Sequence, residues 1–145
     1  ENGSALTSFC HLIEAQGGDP SIVGDYSRLP QAAHTKEFSL ANEEKMFVSG
    51  LDARSFGDAA CLLGAGRTST DSVIDPGVGV ELMKKIGDVV EPNEPILRIH
   101  YTDMKTLEAA EARLNAGIDL ADAAPPSAPM LIDRISSVGE ISIFR

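Results

Sequence analysis

Between Leu51 and His100 the chain sets helix formers, breakers and strand formers in an order that few folds can satisfy. Asp52 is a good N-cap residue, because its carboxylate can accept from the free N–H groups of a helix start. Phe56, Ala59, Ala60 and Leu63 then fall on one face of a helix, and Gly64-Ala65-Gly66 stops it. Residues 67–74 form a polar loop. Asp75-Pro76-Gly77 is a turn: proline presets its own φ and glycine accepts a positive one. Val78, Val80, Leu82 and Ile86 mark one strand, Gly87-Asp88 reverses the chain, and Val89 and Val90 start the next. A turn at residues 92–95 leads into a last strand through Ile96, Leu97 and Ile99. Short strands joined by hairpin-like turns, mixed with helices, predict an α+β fold over a doubly wound parallel sheet.

The flanks extend this pattern. Ser4 is placed to cap a first helix whose Leu6, Phe9, Leu12 and Ile13 make an apolar stripe, ended by Gly17-Gly18. That stripe needs a partner surface. Residues 25–33 read as a linker, 36–40 and 45–51 as strands. Thr102 or Asp103 caps a third helix with Leu107, Ala109, Ala110 and Leu114 inward. Residues 123–129 are Pro/Ala-rich and extended, and 130–135 with 140–144 suggest a terminal hairpin. At 145 residues this is about one domain of chain. Its first residue is Glu1, as expected of a piece of a longer protein or of a processed chain.

Composition excludes several functions. A net charge of −10 repels polyanions, so neither nucleic acid nor an anionic membrane surface is expected as a partner. The chain has no Trp and 5% aromatic residues, too few for a base-stacking platform. Cys10 and Cys61 lie in apolar helical patterns and are expected to act as small buried hydrophobes in a reducing, cytoplasmic setting. His11, His34 and His100 have no ligand spacing, so no metal site is expected.

Gly64-Ala65-Gly66-Arg67-Thr68-Ser69 invites comparison with a phosphate loop, but phosphate-binding glycines precede a helix, where free N–H groups face the anion. These glycines follow one. They read as a helix cap and hinge at Gly64 and Gly66, with Arg67 complementing the negative helix end. The polar loop beyond them could act as a lid. No G-x-S-x-G elbow is present.

Taken as one string, the chain resembles the C-terminal end of the pyrimidine-nucleoside phosphorylases, the thymidine phosphorylase family. The matching pieces are GSAL and AQGGDP within residues 3–20, SRLPQA at 27–32, VSGLDA at 48–53 and FGDAACLLGAGR at 56–67. DSVIDPGVGVELMKKIGDVV at 71–90 and EPILRIHY at 94–101 follow. LGAGR followed by VIDPGVG and KxGD is the most specific part. Three positions depart from the family: Lys45-Met46 stand where Ser-Gly is usual, and Asn93 replaces a turn glycine.

The resemblance implies the phosphorolysis of pyrimidine nucleosides to base and (deoxy)ribose 1-phosphate, with phosphate as co-substrate and no cofactor. It implies that residues 1–28 are a helical remnant of the large α/β catalytic domain. Residues 29–145 would be the C-terminal domain, an α/β hammerhead related to barrel-sandwich hybrids. Catalytic residues would lie upstream, leaving none in this chain, which alone is expected to be inactive. Arg67, Thr68, Ser69 and Thr70 would form a substrate-proximal lid. The partner would be the upstream catalytic domain of a cytoplasmic homodimer. Two alternatives stand beside this reading. One is a lipoyl or biotinyl carrier domain, in which the EPILRIHYTDMK run would end on Lys105 as the attachment site. The other is a stand-alone interaction module.

Overall fold

The computed structural model of this chain describes residues 2–67, 69–127 and 129, and the backbone of 133–134 and 142–143. Helix α1 spans Ser4–Ala15, followed by 3-10 turns at Pro20–Val23 and Tyr26–Arg28. Strand β1 is His34–Phe38, β2 is Met46–Leu51, and helix α2 is Ala53–Leu63. Next come β3 (Gly79–Leu82), β4 (Val89–Val90) and β5 (Leu97–Tyr101), then helix α3 (Met104–Ala116) and β6 (Ile118–Ala121). Strands β7 (Asp133–Arg134) and β8 (Ser142–Ile143) pair with each other, within the two segments expected to form a terminal hairpin. The fold is α+β, as expected.

Two three-stranded antiparallel sheets carry it, in the orders β1-β5-β3 and β4-β2-β6. This corrects the expected hairpin at Gly87-Asp88, because β3 and β4 lie in different sheets. The physical reason is a cross-link made at the turn itself. Gly87 N–H donates to Val48 O at 2.8 Å, and Val48 N–H donates to Asp88 O at 3.0 Å, so β2 captures the chain as it turns. Ile86, expected on the core side of a strand, lies outside β3 and is 55% exposed.

Helix α2 forms where its signals predict. Asp52 accepts from Arg54 N–H at 3.3 Å and from Ser55 N–H at 3.0 Å. Gly64 closes the helix at φ 112°, a left-handed conformation that costs glycine nothing. Helix α3 is capped by Asp103, one of the two expected residues, through Lys105 N–H. Helix α1 differs: its N-cap is Gly3 at φ 74°, without a side-chain cap, and Asn2 Oδ1 accepts the Ser4 N–H instead.

One core joins these elements. Ile96, Leu97 and Ile99 of the β5 region, Val48 of β2, Val90 of β4 and Leu114 of α3 are fully buried. Each such side chain contributes about 1.5–3 kcal/mol relative to exposure. Alternation along β5 turns Leu97, Ile99 and Tyr101 inward and leaves Arg98 and His100 on the outer face. Ala109, expected inward on α3, is exposed, whereas Leu107, Ala110 and Leu114 are buried. Helix α1 contributes no buried residue; Leu6, Phe9 and Leu12 are all more than half exposed. Cys10 is accordingly only half-buried. Cys61 is exposed, packing its Sγ beside Gly66 on the outer side of α2. The expectation of buried cysteines fails for both. No helix among the described residues is long and apolar enough to cross a membrane.

Candidate functional site

The loop that follows α2 is held by one residue at its far end. Asp75 N–H donates to Gly64 O at 3.0 Å, bringing the end of the loop back to the helix cap. Asp75 Oδ1 accepts from Gly77 N–H at 2.9 Å, which makes the tight turn. Asp75 Oδ2 accepts from the Thr102 hydroxyl at 2.9 Å, where β5 gives way to α3. The excursion from 65 to 74 is therefore closed at its base and open at its tip, the form of a compact surface loop.

Within it, Arg67, Ser69 and Thr70 are exposed, and Thr68 lies outside the described residues. Ser69 and Ser72 make a local turn: Ser72 N–H donates to Ser69 O at 3.2 Å, and Ser69 N–H to Ser72 Oγ at 3.0 Å. Val73, two residues before Asp75, is 90% exposed, an apolar side chain with little to cover it. Gly64 caps α2 at the base of the loop, and Gly66 lies two residues further on.

A second surface lies beside the turn. A shallow groove of about 530 Å³ is bounded by Leu29 and Gln31 on one side and by Gly77, Glu81 and His100 on the other. Its floor continues into a cross-strand charge ladder. In register, Glu37 of β1, Arg98 of β5 and Glu81 of β3 stand side by side. Arg98 reaches Glu37 Oε1 at 3.4 Å and Glu81 Oε2 at 3.1 Å, and His100 Nε2 lies 3.3 Å from the same Glu81 oxygen. These are exposed pairs, each contributing at most about 1 kcal/mol. With two carboxylates to one guanidinium the ladder is net acidic, so it offers no anion-binding cluster.

Among the described residues three carboxylates are held below the ordinary range, chiefly by local hydrogen bonds. For Asp52 the largest cause is the Ser55 hydroxyl, at 2.6 Å, followed by the Ser55 N–H. For Glu94 it is the hydrogen bond from Lys84, whose Nζ stands 2.7 Å from Oε1. For Asp19 it is Ser21. All three serve caps and turns. None faces a groove as a general acid or base would.

His34 and His100 stand on the paired strands β1 and β5 one register step apart, hence on opposite faces, and no group of three His, Cys, Asp or Glu side chains able to hold a metal occurs among the described residues. Lys105 stands exposed in the first turn of α3, its backbone N–H capped by Asp103 at 2.8 Å. A carrier lysine is presented on a hairpin turn, and that geometry is absent at Lys105. The short strand β6, which pairs with β2, escaped the sequence reading; the alternation of Ile118 and Leu120 over four residues was its only signal.

Fold and surface together define an α+β module whose described residues are organised around caps, turns and a tethered loop. Residues 47–121 match the family described as the pyrimidine nucleoside phosphorylase C-terminal domain. The pyrimidine-nucleoside phosphorylase of Geobacillus stearothermophilus is 42% identical over 137 residues, covering 94% of this chain and 31% of that protein. That of Bacillus subtilis (strain 168) is 41% identical over 132 residues, 91% of this chain and 29% of the relative. The chain belongs to the pyrimidine nucleoside phosphorylase C-terminal domain family, and spans about 30% of the length of these curated relatives.

Proposed function

We propose that this chain is the C-terminal accessory part of an enzyme that cleaves pyrimidine nucleosides with phosphate, releasing the base and (deoxy)ribose 1-phosphate. The observation that carries the reading is the extent of similarity: nearly the whole chain matches less than a third of each phosphorylase. Residues 29–145 are the accessory domain, of hammerhead type, which braces the large domain and helps close the cleft. Residues 1–28 belong to the large α/β domain. The Leu6, Phe9 and Leu12 stripe of α1 favours that division, because all three side chains are more than half exposed. Arg67, Thr68, Ser69 and Thr70 form the lid over the substrate, hinged at Gly64 and Gly66. The whole enzyme is a cytoplasmic homodimer that uses phosphate as co-substrate and no cofactor.

The test is phosphorolysis itself. The enzyme from the complete reading frame releases uracil from uridine or thymine from thymidine only when phosphate is present. The 145-residue chain alone releases neither. Turnover by the short chain, or cleavage without phosphate, sinks the reading.

A further inference from the structure

Gly57 sits in the interior of α2, where glycine weakens a helix relative to alanine. A Cβ added there meets nothing within 4 Å. Most other described glycines have a reason to be glycine. Gly3, Gly17, Gly64, Gly79 and Gly87 have positive φ, while Gly24, with right-handed backbone, merely closes a 3-10 turn beside Ser21 O. At Gly18, Gly50, Gly66, Gly77 and Gly117 a Cβ would press into a neighbour. Gly57 alone among them has open space and helical backbone.

That open space is one wall of a groove of about 430 Å³ between α2 and β3. Phe56, Gly57 and Ala60 line it from the helix, Val80 and Leu82 from the strand. The lining is almost entirely apolar, and Leu82 at its lip is 46% exposed. Strand β3 is the outermost strand of its sheet. Its one described partner is β5, and no described strand pairs with its other edge. An unpaired edge beside an apolar groove is the form that accepts an added strand, with backbone hydrogen bonds along the edge and alternate side chains in the groove.

We propose that this groove seats an extended apolar segment from the remainder of the phosphorylase chain, pairing along β3 and crossing α2 at Gly57. The inference rests on the reading that this chain is part of a phosphorylase. The occupant follows from two observations. About 70% of each relative's length lies outside the match, which supplies the chain. The entry segment around Gln31 and Ala32 already crosses Gly77 in backbone contact, two residues ahead of β3, so the N-terminal side of the chain enters beside the start of this strand. An added strand lies about 4.8 Å beyond β3, and its side chains on one face can enter the groove that β3 shares with α2. Its backbone can approach there only where no side chain intervenes, and Gly57 provides that place.

The experiment uses the complete enzyme with Gly57→Ala and Gly57→Leu. With an empty groove both substitutions strengthen α2 and raise the melting temperature. With a seated segment both lower it, Leu more than Ala, and speed amide exchange at residues 79–82 by about ten-fold or more. A photo-crosslinking residue at Leu82 identifies the occupant. Adducts to residues preceding this chain support the proposal. Adducts to residues 128–145, adducts to a second copy, or no adduct overturn it, as does stabilisation by both Gly57 variants. If Gly57→Leu does not fold, Gly57→Ala and the wild-type crosslinking series decide alone. Neither readout requires turnover. Absence of phosphorolysis therefore sinks the proposed function, while a bare groove in an active phosphorylase sinks only this inference.

Discussion

The Thr102 hydroxyl donates to Asp75 Oδ2 at 2.9 Å, tying the base of the loop after α2 to the junction of β5 and α3, 27 residues further on. Through Asp75 the loop's anchorage and the seating of α3 become one event.

Asp75→Ala removes the acceptors for Thr102 and Gly77 together. It should lower stability by roughly 1–3 kcal/mol and speed amide exchange and proteolysis across residues 67–74. Asp75→Asn keeps one carbonyl oxygen and should fall between the two. Denaturant titration and exchange mapping check both; a loop as protected in Asp75→Ala as in wild type would refute the anchoring role.

Gly77 lies against backbone. A Cβ there would stand 2.6 Å from the Gln31 carbonyl carbon and 2.8 Å from Ala32 N, and neither can rotate away. Gly77→Ala should therefore cost about 1–3 kcal/mol as overpacking, read as a lower denaturant midpoint. An unchanged midpoint would mean that the entry segment lifts off freely.

The cap of α2 sets an acid-side dependence. Asp52 binds its proton less readily folded than unfolded, because Ser55 hydrogen-bonds the carboxylate. Its contribution is complete above the ordinary carboxylate pKa, about 4, and is lost as pH falls through the lower folded value. Glu94, held down by Lys84, acts in the same direction. Urea midpoints measured from pH 7 to pH 3 should fall less steeply for Asp52→Asn than for wild type. Parallel curves would exclude the cap as a source of the dependence.

Arg67 bears on the proposed lid. Its side chain is exposed, so Arg67→Ala in the complete enzyme should leave the melting temperature unchanged. It should lower kcat/KM for the nucleoside, by on the order of ten-fold if the loop closes over substrate. Unaltered kinetics would place the loop away from the cleft.

Much of this architecture could be read locally. Asp52 and Gly64 bound α2 where cap chemistry requires, and Asn93 takes a positive φ of 59°, as its place in a family glycine position demands. What could not be read was partnership. Gly87-Asp88 has the chemistry of a hairpin turn, yet Val48, some 40 residues earlier, captures it and sends β4 to the other sheet. The α1 stripe reads as a core face and meets no core among the described residues, so Leu6, Phe9 and Leu12 stay exposed. The loop's position was legible from Gly64 and Asp75. Its triple anchorage was not, because Thr102 is brought there only by the sheet.

The strand pairings also set a timetable. In β1, His34 waits for Tyr101, and Phe47 in β2 waits for Ala121. Both sheets are therefore closed by contacts distant in sequence, which slow folding, because loop entropy is lost before any contact compensates for it. On the ribosome, α2 can form early, but β2 stays without its β6 partner until Ala121 has left the exit tunnel. Until then the β6-side edge of β2 stays unpaired even after β4 has covered the other, and a chaperone acting on this chain would find its substrate there.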